Sequence, residues 1–278
     1  MSERKNIDDV KRFWNENPLW TGESAYKPGT LEFYEEHRKV YISDCFSGKM
    51  DERIFLEEAK DQPILDLGCG VGFWLIEFAK RGFKNVHGAD LTPASLKLAK
   101  KRTELYGYDV SLTEQNAESM TFSDASFQHV NCLGVVHHTP HPDKAIGEIA
   151  RILKPNGSAS ISVYYKNAVI RAWPILRPFA LALGYLGAKM KGRGREGIYK
   201  LKSVDDVIRY YDGEKNPIGI GYTRSEFVAE LEKHYHIEEI YYHFFPARSL
   251  PIPIPRFLHR FLEWLFPFMI VAGVRKKK

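Results

Sequence analysis

From Pro63 onward, short apolar runs alternate with longer stretches whose apolar residues recur three and four positions apart. The short runs read as buried strands and the longer ones as amphipathic helices. "PILDLG", "NVHGAD", "DVSLTEQ", "FQHVNCLGV" and "SASISVYY" predict five strands. "FWLIEFAKRG", "TPASLKLAKKRTELYG" and "PDKAIGEIARIL" predict the helices between them. Gly82 and Gly107 stand where helix C-terminal glycines belong, and Thr92 with Pro93 forms a helix start. Ahead of this series, "VKRFW" and "RIFLEEA" predict helices over 3–15 and 31–60. After Tyr165 the rhythm breaks into apolar helix-like stretches, a Gly/Lys/Arg segment and turns. It returns with a helix at "RSEFVAELEKHY", a strand at "IEEIYYHFF", a helix at "PRFLHRFLEWLF" and a last strand at "FMIVAGVRK".

Strands that alternate with helices of ten or more residues predict an α/β fold, a mostly parallel sheet covered on both faces. The divisions expected are an N-terminal helical cap (1–60), a Rossmann-like core (61–165), a helical lid inserted over one end of the sheet (166–222), and the C-terminal part of the core sheet (223–278).

Charge and cysteine content narrow the function. The net charge of +5 is uneven: "RKKK" at 275–278 carries +4 and the segment 189–202 another +5, which leaves the remaining body at −4. A nucleic-acid enzyme would show a broad basic face, so no nucleic-acid partner is expected. Cys45, Cys69 and Cys132 are scattered and odd in number, which suits a reducing cytoplasm and neither a disulfide framework nor a zinc cage. The charged start "MSERKNIDDVKRFW" does not read as a secretory signal, and "AWPILRPFALALGYLGA" is too interrupted for a membrane span.

The first strand runs straight into glycines: Asp66-Leu67-Gly68-Cys69-Gly70-Val71-Gly72. In open α/β sheets a ligand sits beyond the strand ends at such a turn, where missing side chains let backbone approach it. Dinucleotide sites want a third glycine where this chain has Phe73. A carboxylate leading the turn would repel a pyrophosphate and suits a ligand with a cationic end, either directly, through water or by fixing the loop. The second strand ends in Asp90, whose two oxygens suit the hydroxyls of a ribose. At the edge of the third strand Asn116 and Glu118 are candidates for binding a base.

"ILDLGCGVG", "GADLTPASLKLAKKR", "NAESMTFSDASFQHV", "GVVHHTP" and "EIARILKPNG", in this order and spacing, resemble a class I S-adenosylmethionine-dependent methyltransferase. The likeness is to the small-molecule branch, similar to ubiquinone/menaquinone-type and natural-product methyltransferases. It implies a seven-stranded, mostly parallel sheet of order 3-2-1-4-5-7-6 with the last strand antiparallel. It implies S-adenosylmethionine as cofactor, S-adenosylhomocysteine as product, and cofactor roles for Asp66, Gly68, Cys69, Gly70, Asp90, Leu91, Asn116, Ala117 and Leu133. The chain departs from the pattern at Gln128 and His141, where that family carries acids.

His137, His138 and His141 follow the fourth strand. Adjacent histidines rarely converge on one ion, so no metal is expected. Two readings stay open: one imidazole buried against backbone, or His138 edging the transfer pocket to orient the acceptor or take its proton. Aromatic residues in the cap and insertion (Trp14, Trp20, Tyr164, Trp173) favour a small, hydrophobic or aromatic acceptor at O, N or C. Two alternatives remain. One is a methyltransferase resting on an anionic membrane through the apolar insertion and the basic segments, acting on a lipid or lipid-linked precursor. The other is a protein that binds S-adenosylmethionine without catalysis.

Overall fold

A computed structural model describes residues 5–56, 59–187, 191, 197–250 and 252–277. Helix α1 (Ile7–Glu16) begins with a reciprocal cap: the Asn6 side chain accepts from the Asp9 N–H, and the Asp9 carboxylate accepts from the Asn6 N–H. Helix α2 (Leu31–Cys45) starts on Thr30. The helix expected over 31–60 ends early, because Ser47 and Gly48 take left-handed backbone at φ 47° and 87°. Of "RIFLEEA", Ile54 ends a single 3-10 turn, and Ile54 and Phe55 are buried beside Trp74 and Phe78. Their helical spacing comes from a loop that inserts apolar side chains into the core.

The alternating series follows: β1 (Pro63–Leu67), α3 (Phe73–Lys80), β2 (Asn85–Asp90), α4 (Pro93–Tyr106), β3 (Ser111–Glu114), β4 (Phe127–Leu133), α5 (Pro142–Ile152) and β5 (Leu153–Tyr165). Strand β5 begins five residues earlier than its sequence pattern suggests, with "KPNG" as an irregularity: Phe127 pairs with Leu153, then His129 with Ser158. Beyond β5 come α6 (Ala168–Arg171), α7 (Trp173–Tyr185), α8 (Val204–Tyr210), β6 (Gly221–Tyr222), α9 (Arg224–Leu231), β7 (Tyr235–His243), α10 (Arg256–Leu265) and β8 (Met269–Lys276).

The sheet order is β3-β2-β1-β4-β5-β8-β7. This is the expected order once the two-residue β6, which pairs with β5 as an eighth strand, is set aside. The β3-to-β5 pairs are parallel, and β8 runs antiparallel between β5 and β7. Side chains alternate between two buried clusters. Leu65 and Leu67 pack into one with Val130, Ile161 and Val274, whereas Ile64 points into the other with Leu75 and Phe78. Both faces are thus covered, which explains the nearly unbroken apolar runs.

The basic C-terminal segment is not a free tag through Lys277. Arg275 pairs with Glu238, Lys276 Nζ donates to the Leu153 carbonyl at 2.7 Å, and Lys277 Nζ donates to the Glu232 carbonyl. Because Tyr164 pairs with Met269 and Ser158 with Arg275, this segment lies at the end of the sheet opposite the carboxyl end of β5.

Candidate active site

The three glycines after β1 are glycines for different reasons. A Cβ on Gly68 would stand 2.3 Å from Val135 Cγ2, and one on Gly72 would meet Ala99 of α4 at 3.2 Å. These two are required by the protein's own packing. Gly70 differs: its φ is +51°, nothing lies within 4 Å of the Cβ position, and the residue lines a cleft. At Gly70 the backbone is kept bare toward open space.

Asp90 holds this loop. Its Oδ2 accepts the Gly70 N–H at 2.9 Å, and its Oδ1 accepts both the N–H and the hydroxyl of Thr92, at 2.9 and 2.8 Å. Thr92 therefore sits at the helix start as expected, but its hydroxyl serves Asp90 rather than the helix backbone. An ionised carboxylate offers about four acceptor sites. The hydroxyl and N–H of Thr92, the Gly70 N–H and the Leu91 N–H all bear on this carboxylate, so much of its acceptor capacity is spent on holding the loop.

Asp66 lies one layer below. It is paired in register with Asn131 of β4, whose Nδ2 donates to Asp66 Oδ1 at 2.7 Å. Its Oδ2 is buried without a partner. Burial raises the carboxyl pKa to about 7; the Asn131 hydrogen bond opposes this and the Asp90 charge adds to it. Asp66 and Cys69 are absent from the cleft wall. Gly68, Gly70, Asp90, Leu91, Asn116, Ala117, Leu133 and His138 all belong to it. Asn116 Oδ1 accepts from the Glu118 N–H, and Glu118 turns away to accept from the His141 N–H at 2.7 Å. Of the two base-binding candidates, only Asn116 faces the cleft.

A second, more apolar cleft lies on the far side of β4. The two share Trp14, Leu19, Leu133, Gly134 and His138 as a common wall. The fit to a nucleoside with a cationic arm rests on bare backbone at Gly70 and the Asp90 carboxylate in the cleft wall, with the unpartnered oxygen of Asp66 buried beneath the turn. The N–H groups of Gly68, Cys69, Gly70 and Gly72 are already bonded within the protein, which leaves fewer donors at the loop for a pyrophosphate.

The paired histidines divide their work. His137 is fully buried, stacked between His138 and Tyr164 with ring centres 4.2 Å from each, and burial drives its pKa well below the usual value. His138 both contacts backbone and edges the clefts. Its Nδ1 lies 2.8 Å from the Ile218 carbonyl. A carbonyl only accepts, so Nδ1 carries the proton and Nε2 is bare in the neutral ring. Nε2 is 3.6 Å from Asp212 Oδ2, and Asp212 accepts from the Tyr164 hydroxyl at 2.9 Å. Sequence reading passed over Asp212. It stands in the turn segment "YDGEKNPIGIGYT", where an acid beside Gly reads as turn chemistry.

Residues 64–157 match a methyltransferase domain family. The ubiquinone biosynthesis O-methyltransferase of Pseudomonas entomophila is 31% identical over 186 residues, 65% of this chain and 70% of that protein. Its counterpart in Hahella chejuensis is 30% identical over 168 residues, 60% of this chain and 63% of that protein. That of Alkalilimnicola ehrlichii is 30% identical over 149 residues, so the chain spans 55% of that relative's length. Among solved structures, the 1,6-didemethyltoxoflavin-N1-methyltransferase of Burkholderia thailandensis, with 1,6-didemethyltoxoflavin and S-adenosylhomocysteine bound, shares the fold. Its TM-score is 0.53 at 15% identity, covering 89% of this chain and 85% of that one.

Proposed function

This chain belongs to the class I S-adenosylmethionine-dependent methyltransferases, and from that premise we propose that it methylates an oxygen of a small, hydrophobic, aromatic acceptor. The observation that carries this reading is the shared wall. One cleft presents the bare turn and Asp90, the other presents aromatic side chains, and His138 stands in both. The resemblance to O-methyltransferases supports oxygen as the acceptor atom.

S-adenosylmethionine, when bound, supplies an electrophilic methyl group on a sulfonium. The protein's part is to hold, dry and deprotonate. Trp14, Leu19 and Leu133 give the junction of the clefts an apolar lining. His138 Nε2, kept bare by the bond from Nδ1 to Ile218, takes the proton of an acceptor hydroxyl. Asp212, anchored by Tyr164, then faces the imidazolium. Titration with S-adenosylhomocysteine and an assay on simple phenols test the reading. Tight binding with methylation of a phenol is expected; absence of binding ends it.

A second reading, of a lipid-linked acceptor taken at an anionic bilayer, is favoured by one observation. No residue of α7 is buried, and on α10 only His259 is. Ile175, Phe179 and Leu183 form one exposed row, and Phe257, Phe261 and Trp264 another. The helices are tied at both ends: Asn167 Nδ2 donates to the Phe266 and Pro267 carbonyls, and the Lys191 N–H to the Ser249 carbonyl. Arg171, Arg177, Arg256 and Arg260 accompany the rows, whereas Glu263 turns inward to accept from Phe244 and Ser47. Apolar rows with basic flanks suit an anionic surface. The C-terminal basic segment has no part in it, being tied at the other end of the sheet. No helix among the described residues is long and apolar enough to cross a membrane. Sedimentation with phosphatidylglycerol vesicles but not phosphatidylcholine vesicles is expected, and equal sedimentation with both rejects this reading.

A further inference from the structure

His138 offers the acceptor cleft a bare nitrogen; a second histidine in the same wall is locked in the opposite state. His37 lies on α2, 1% exposed, among the rings of Trp20, Tyr41 and Phe73. Its Nδ1 is 3.1 Å from Nη1 of Arg102. A guanidinium has five donors and no acceptor, so Nδ1 must be the bare nitrogen. In the uncharged ring the proton therefore sits on Nε2.

The ring stays uncharged for structural reasons. Burial and the charges of Arg102 and Arg248 hold its pKa well below the usual value. Arg102 is itself fully buried, with Nη1 and Nη2 directed at the Val71 and Tyr34 carbonyls at 3.5 and 3.3 Å. It is thus enclosed where it fixes the His37 tautomer. The opposite edge of the His37 ring carries Nε2, a buried donor without a partner, in a residue that lines the acceptor cleft. Buried donors are satisfied in the great majority of cases, and an orphan calls for a reason. A ligand oxygen in that cleft supplies one.

We propose that the Nε2–H of His37 donates to a second oxygen of the acceptor, so that the cleft selects molecules bearing one hydroxyl for His138 and another oxygen for His37. The inference rests on reading this cleft as the acceptor's. It deepens that reading by naming the ligand chemistry: a dioxygenated aromatic ring in preference to a simple phenol. His37 binds and orients the acceptor and moves no proton.

The test uses the full chain saturated with S-adenosylhomocysteine, with 1,2-dihydroxybenzene and phenol as probes. The wild type is expected to bind the diol about tenfold more tightly than phenol, the worth of one neutral hydrogen bond. His37→Leu should bring the ratio of diol to phenol affinity down to about one. His37→Gln, whose amide N–H reaches a similar point, should restore part of the preference. If His37→Leu keeps the preference, the inference is overturned while the reading of the cleft stands. If neither probe binds the wild type, both fail. Nitrogen-15 spectroscopy of labelled histidines gives a readout independent of how the variants fold. His37 should hold its proton on Nε2 from pH 6 to 8, and that resonance should shift with the diol and not with phenol. A proton on Nδ1, an imidazolium at pH 7, or an Nε2 signal indifferent to the diol would refute it.

Discussion

The two clefts meet at Leu133, Gly134 and His138, yet they are built by opposite means. The proposed cofactor cleft has a floor that is largely backbone, with glycines at a turn, an N–H clamped by one carboxylate, and strand ends between Leu67 and Thr139, closed by Ile7, Val10, Trp14 and Leu19 from the N-terminal cap. The acceptor cleft is side chains gathered from the whole chain, from Trp14 and His37 to Tyr164, Asp212 and Arg248. A backbone site tolerates few changes because its shape is the fold itself. A side-chain site can be altered one contact at a time.

The strongest way to break this contrast is at the glycines. Gly68→Ala places a Cβ against Val135 at a positive φ of +71°. Left-handed strain and overpacking together amount to about 2–5 kcal/mol. Thermal unfolding should drop sharply, and S-adenosylhomocysteine affinity should fall at least 100-fold. Gly70→Ala has free space around its Cβ and carries only the strain, about 1–2 kcal/mol. It should weaken the ligand far more than it lowers the melting temperature. If both variants behave alike, the distinction between packing glycine and ligand glycine is wrong.

At the shared wall the expected effects are smaller and fall on catalysis. His138→Gln should lower kcat about 10²- to 10³-fold, the ordinary worth of a positioned base. S-adenosylhomocysteine affinity should change by less than about threefold, since the turn and Asp90 are untouched. A parallel loss of affinity would show that His138 holds the cofactor rather than acting on the acceptor. Asp212→Asn keeps the shape and one oxygen for the Tyr164 hydroxyl, and replaces the charged group facing Nε2 by a neutral amide. A reduction in kcat of about tenfold is expected, because the imidazolium loses its counter-charge. An unchanged kcat would show that Asp212 only supports Tyr164.

The same contrast explains what the sequence revealed. The glycine turn and the Asp90 and Asn116 positions are local, each written within a few residues of a strand end, whereas the strand order followed only from the resemblance to a known family. What the pattern hid is non-local. The tautomer of His138 is set by a carbonyl 80 residues away, and that of His37 by an arginine 65 residues away. Asp212 sits in a turn whose composition suits any loop. The helix expected at 31–60 forms only as far as Cys45, because the helical spacing of its second half also describes a loop that buries Ile54 and Phe55. The C-terminal lysines read as a basic tag because nothing in the sequence shows that antiparallel pairing brings their ammonium groups to backbone carbonyls.

The finest probe of the cofactor side is Asp66, which lies beneath the backbone rather than on it. Its carboxyl has a folded pKa of about 7 against an ordinary 3.8, with burial as the main cause. Between those values the unfolded chain gives up a proton that the folded protein keeps. Stability contributed by this group therefore falls as pH rises through that window and is fully lost above it. The upper bound is about 4 kcal/mol, from three pKa units at 1.36 kcal/mol each. Asp66→Asn removes the titration. It keeps an oxygen for Asn131 but replaces the unpartnered Oδ2 with an unpartnered NH2, at about 1–3 kcal/mol. The two terms oppose each other. The variant should melt a few degrees below the wild type at pH 4, where only the second term acts, and at or above it at pH 8. If the charge beneath the turn also favours the sulfonium, the variant should lose part of any preference for S-adenosylmethionine over S-adenosylhomocysteine at pH 8, while its affinity for the uncharged product stays within about threefold. A melting difference independent of pH would mean that folding leaves the Asp66 carboxyl at its ordinary pKa, with its second oxygen satisfied by solvent.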